Sequence, residues 1–74
     1  MIKWMRLLNV EIFGDKSQII EVETFDKCKE FCSNDIKCTG FNFLLHECWI
    51  QYGELYGIAD HRTVSGYYDA CIKI

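Results

Sequence analysis

Five cysteines and two histidines are the residues of this 74-residue chain that could do chemistry. Four of the cysteines fall between Cys28 and Cys48, at Cys28, Cys32, Cys38 and Cys48, with His46 inside the same window. Thiols and an imidazole at such density serve one of two ends, a disulfide framework or a tetrahedral zinc site. Against zinc, there is no Cys-x2-Cys knuckle, and two ligands on a helix with two on a hairpin is an uncommon zinc spacing, so no metal is expected. Disulfides also suit the length, because a chain this short buries a modest core and needs staples. They persist in oxidising compartments, which points to a secreted, extracellular protein. The odd count leaves Cys71 unpaired within the chain or bridged to another one.

Catalysis has little to stand on. His46 reads as the tip of a hairpin and His61 lies between Asp60 and Arg62, both solvated settings. No Gly-x-Ser-x-Gly, no His-Glu-x-x-His and no phosphate-cradling glycine loop occurs. Cys71 has no basic neighbour in sequence to lower its pKa. The expectation is a non-enzyme with no cofactor.

The composition excludes other classes. Half the residues are hydrophobic and 15% aromatic, so the chain folds. The net charge is -3 and the eight Lys and Arg are scattered among acids, which leaves no basic footprint for nucleic acid. No stretch approaches the length of a membrane span, and the start, Met1 to Asn9, is broken by Arg6 and Asn9 and does not read as a signal peptide. There is no Asn-x-Ser/Thr sequon, no internal repeat and no linker.

The elements that must position the cysteines follow from periodicity. Leu7 to Phe13 alternates as a strand, Gly14 to Ser17 makes a turn, and Ile19 to Glu23 is a second strand antiparallel to the first. Thr24 is an N-cap and Asp26 suits the first turn of a helix over Phe25 to Asn34. Phe25, Cys28, Phe31 and Cys32 share one arc of that helix, about 120° wide. Thr39 to Leu44 is a strand with Phe41 and Phe43 on one face and Asn42 on the other. Leu45-His46-Glu47 connects it to a return strand, Cys48 to Tyr52, with Cys48, Ile50 and Tyr52 opposite Trp49 and Gln51. Gly53 to Gly66 reads as a loop with a short strand near Tyr56, and Tyr67 to Ile72 as a last strand. The fold class expected is α+β: one helix on a small antiparallel sheet.

Four cysteines allow three pairings, and spacing alone does not choose. A Cys28–Cys32 bridge would strain the helix and join it to nothing, whereas Cys28–Cys48 with Cys32–Cys38 ties helix to sheet twice. The run Thr24…Cys28-x3-Cys32-x5-Cys38-Thr39-Gly40-Phe41-Asn42-Phe43, then Cys48-Trp49-Ile50, resembles a PAN/apple domain. That superfamily includes apple domains of coagulation-type zymogens, the N-terminal domains of plasminogen and hepatocyte growth factor, and microneme adhesive modules. The resemblance covers about residues 8 to 73 of what is expected to be one domain over 1–74. It implies a five-stranded antiparallel sheet cradling one helix and the nested bridges. It also implies a third bridge from the first strand to the last, in which Cys71 would be one member. The other should lie near Leu7 to Asn9, where no cysteine stands.

The function expected is a secreted adhesion or binding module for a protein or glycan ligand, without membrane insertion. Trp49, Tyr56, Asp60, His61 and Arg62 are its candidate contacts, Trp49 because it points away from the helix. Tyr52 and Tyr68 are assigned to the core, and Tyr67 completes the aromatic set. The alternative is a structural subunit that self-assembles as an oligomer or filament through Cys71 and exposed aromatics such as Trp4.

Overall fold

A computed structural model describes residues 2–60 and 69–74 of the chain. The first strand of the sequence reading is in fact two. β1 (Trp4–Leu8) and β2 (Val10–Phe13) belong to different sheets, because Asn9 between them takes a left-handed conformation, φ 60°. Asparagine tolerates this region better than most side chains, and one such residue turns the chain out of its sheet. β1 pairs with the last strand, β7 (Asp69–Lys73), with Trp4 opposite Lys73 and Leu8 opposite Asp69. β3 (Lys16–Glu21) does not pair with the first strand as expected. It pairs with β5 (Glu47–Tyr52), which in turn pairs with β4 (Cys38–Leu44). The result is a five-stranded antiparallel sheet in the order β1-β7-β4-β5-β3.

The helix α1 (Phe25–Asn34) crosses one face of this sheet. Thr24 caps it: the hydroxyl accepts from the Lys27 amide at 3.2 Å, and Asp26 occupies the first turn. Cys28 and Cys32 are fully buried, facing β4 and β5. Between helix and sheet lie Phe41 and Ile50, surrounded by Trp4, Ile20, Val22, Phe25, Phe43 and Tyr52. The Phe25 ring is 5.4 Å from Phe41 and 6.1 Å from Phe43, and Trp4 meets Phe41 edge-on at 5.7 Å. Phe31 departs from the expected arc. It stands at the arc's margin rather than its centre and is exposed.

The opposite face is covered by a second sheet of two strands, β2 and β6 (Gly57–Asp60). The stretch Gly53 to Gly66, read as a loop with a short strand near Tyr56, supplies that strand as β6. What holds this layer down is Asn42, at the centre of β4 and buried on the side away from α1. Its carbonyl oxygen accepts from the Ile12 amide at 2.7 Å, and its amide nitrogen donates to the Ile12 carbonyl at 2.9 Å. One side chain thus supplies both bonds that a neighbouring strand would supply. Gln51 repeats the device on β5, accepting from the Gly14 amide at 3.0 Å. Gly40 lets the layers close. A Cβ there would lie 2.7 Å from the Cys71 carbonyl and 2.9 Å from Cδ1 of Ile12.

The β4–β5 hairpin turns through Leu45 and His46, with Leu44 opposite Glu47. Leu45 has φ 57°, a conformation costing a non-glycine residue roughly 1–2 kcal/mol. The His46 carbonyl accepts from the Val22 amide at 2.9 Å, fastening the link between β3 and α1 to this tip.

Candidate ligand-binding surface

The cysteines build a rigid floor. Cys28 is bridged to Cys48 and Cys32 to Cys38, with Cα separations of 5.5 and 5.3 Å. The first joins the second turn of α1 to β5, the second its last turn to the start of β4. All four sulfurs are occupied in bonds to one another, and among the described residues no group of His, Cys, Asp and Glu could hold a metal ion.

Cys71 is unpaired and 1% exposed. The β1–β7 register sets Arg6 directly opposite it, next to the stretch Leu7 to Asn9 near which the resemblance puts a bridging partner. Arg6 lies over the Phe25 ring, 4.3 Å from the centroid, and pairs with Asp69 at 3.1 Å. Burial pushes the Cys71 thiol up, Lys29 and Arg6 pull it down in part, and Asp69 adds to the rise. A buried, protonated thiol is a poor nucleophile. An interchain bridge would first have to bring its sulfur out of the core. Trp4 is likewise engaged, its ring on Phe41 and under the Lys29 ammonium at 5.6 Å.

The proposed contacts are distributed unevenly. Trp49 is half-buried on the face away from α1, opposite Asn42 on β4 and Ile19 on β3. Tyr56 is 68% exposed just before β6, its amide donating to the Phe13 carbonyl at 3.0 Å. Beside it is a hollow of about 440 Å³ lined by Ile12, Leu55, Tyr56, Gly57 and Ile72. Asp60 ends β6, opposite Val10. His61, Arg62, Tyr67 and Tyr68 lie outside the described residues. Tyr52 is half-buried against the core and its hydroxyl bonds Gln18 Oε1 at 3.0 Å. His46 is exposed at the hairpin tip.

Reasoning from sequence missed Arg6 and the role of Asn42. For Asn42 a signal existed, an amide between two phenylalanines in an apolar strand. For Arg6 only the register reveals the contact with Cys71.

A sheet of this order, one helix stapled to it by two bridges and a matching aromatic strand fit one family, and the family model described as PAN domain matches residues 3–70. The chain belongs to the PAN domain family. PAN domains are non-catalytic modules, in keeping with an arrangement that ties up its sulfurs and buries its one free thiol. No curated protein and no solved structure matches the chain.

Proposed function

We propose that this PAN domain is a secreted, extracellular binding module that recognises a protein or carbohydrate ligand. Two disulfides in so short a chain suit an oxidising compartment. Among the described residues no helix is long and apolar enough to cross a membrane. The observation that carries the reading is the hollow beside Tyr56. An exposed aromatic ring at the lip of an apolar depression is a stacking platform for a sugar ring or an anchor pocket for a protein side chain. The scaffold beneath it is fixed by Asn42, Gln51 and the bridges, which lowers the entropy lost on binding.

The test is a glycan array together with a pull-down of secreted and cell-surface proteins, using wild type and Tyr56→Ala. Wild type should capture a ligand, and the variant should bind it at least about tenfold more weakly. Failure to bind on either panel, or undiminished binding by Tyr56→Ala, would contradict the proposal.

A further inference from the structure

The exposed side of α1 carries a second depression, about 530 Å³, bordered by Val22, Lys27, Glu30, Phe31, Asp35 and Ile36. Its apolar members are Val22, Phe31 and Ile36. Ile36 is 95% exposed, which for a branched aliphatic side chain is close to complete hydration. It is also held where it is. The Asp35 carbonyl accepts from the Cys38 amide at 2.9 Å and from the Lys73 ammonium at 3.0 Å. The Asp35 carboxylate accepts from the Lys37 amide at 3.0 Å, and the Asp35 amide donates to the Cys32 carbonyl at 3.3 Å. Cys38, two residues on, is bridged back to Cys32. The turn is thus fixed on both sides of Ile36, which stands out as a preorganised apolar knob beside a hollow.

We propose that this patch is self-complementary and docks a second copy of the same chain, with Ile36 of each copy entering the Val22–Phe31 hollow of the other. A two-fold interface requires that knob and hole occur on one surface, since residue i meets residue j and j meets i. Both occur here on one surface: Phe31 and Ile36 lie at α1's C-terminal end, and Val22, just before the helix, completes the hollow. Lys27 and Asp35, two of the three charged residues that border the depression, fit the same operator. Phe31 lies midway between Lys27, near the start of the helix, and Asp35, just past its end. Antiparallel helices related by a two-fold axis near Phe31 bring each Lys27 against Asp35 of the mate, and each helix's positive end against the other's negative end. A net charge of -3 opposes association in general, so the local alternation of sign matters. This transfers the self-assembly reading from Cys71, which is buried, to a surface that is free to associate, and it is independent of the Tyr56 hollow.

Sedimentation equilibrium on non-reduced wild type, up to roughly 1 mM, should show a reversible monomer–dimer equilibrium. Ile36→Glu should weaken it about 30-fold or more, as for loss of a central anchor. Lys27→Glu, which sets like charges at two symmetric contacts, should weaken it about fivefold. Ile36 has almost no buried surface to lose, so an unchanged circular dichroism spectrum and thiol count should accompany the Ile36→Glu result. A wild type that stays monomeric, a dimer indifferent to Ile36→Glu, or a dimer that runs as a covalent species on a non-reducing gel would overturn the proposal.

Discussion

Replacing Asn42 by alanine should destabilise this domain more than any other removal of a single polar group in the sheet. The side chain holds the Ile12 amide at 2.7 Å and the Ile12 carbonyl at 2.9 Å, in a position closed to solvent. Alanine leaves both backbone groups without partners, and each costs about 1–3 kcal/mol where water cannot replace the bond. A central expectation is therefore about 4 kcal/mol, against a total stability of roughly 4–11 kcal/mol for a chain of this length. At about 4–8 °C per kcal/mol, the melting temperature should fall by something like 15–30 °C. Gln51→Ala is the internal comparison. It removes the bond from the Gly14 amide at 3.0 Å and the bond to the Trp49 carbonyl at 3.2 Å, both at part-buried sites where water can replace them in part, and should cost about 1–2 kcal/mol. Urea unfolding of the three proteins with disulfides intact gives the differences. Amide exchange adds a local readout: Ile12 should lose protection in Asn42→Ala while the β4–β5 ladder keeps it. A penalty for Asn42→Ala no larger than that of Gln51→Ala would refute the idea that this amide pins the second sheet.

Two further predictions follow from the Cys71 corner. Arg6→Cys places a thiol directly across the β1–β7 pair from Cys71, so the variant should form a third bridge under air oxidation, read as loss of two hydrogens by intact mass. The chain-entropy estimate for so long a loop is about 4 kcal/mol, reduced by the nested bridge inside it and by the lost Arg6–Asp69 and Arg6–Phe25 contacts. The second concerns pH. Burial raises the Cys71 pKa, so above about pH 8.5 the unfolded chain releases this proton while the folded one keeps it. The unfolded state then binds fewer protons, and stability falls as pH rises. Tyr52, raised by burial and by Asp35, adds to the fall only above about pH 10, while Lys73, lowered by burial, opposes it just below its ordinary value. The urea midpoint should therefore drop between about pH 7.5 and 9.5 in wild type, and the drop should disappear in Cys71→Ala.

The helix and the strands around the cysteines were legible because each is marked locally. Thr24 announces the helix start, and Phe41-Asn42-Phe43 alternates across a sheet with two covered faces. The first strands were not legible, since Leu8, Val10 and Ile12 alternate smoothly through Asn9. Nothing in that pattern shows that Asn9 adopts φ 60° and sends the chain to the other side. Pairing went astray for a related reason. β3 lies next to the first strands in sequence but finds β5, and strand order is a property of the whole sheet. The resemblance puts a bridging partner for Cys71 near Leu7 to Asn9, and the register sets Arg6, one residue before that stretch, opposite it. Of the candidate contacts, Tyr56 is where an exposed ring meets a hollow. Trp49 points away from the helix as its alternation indicates, but sits half-buried.

A disulfide-stapled scaffold underlies both the fold and the proposed binding surface, and peptide mapping of non-reduced, thiol-blocked protein tests it most directly. The expected result is Cys28 linked to Cys48, Cys32 linked to Cys38, and Cys71 recovered as a thiol that is blocked only after unfolding. Reduced thiols at the four bridge positions with a bound metal ion would contradict it, and the reading as an extracellular binding module would fall with the scaffold.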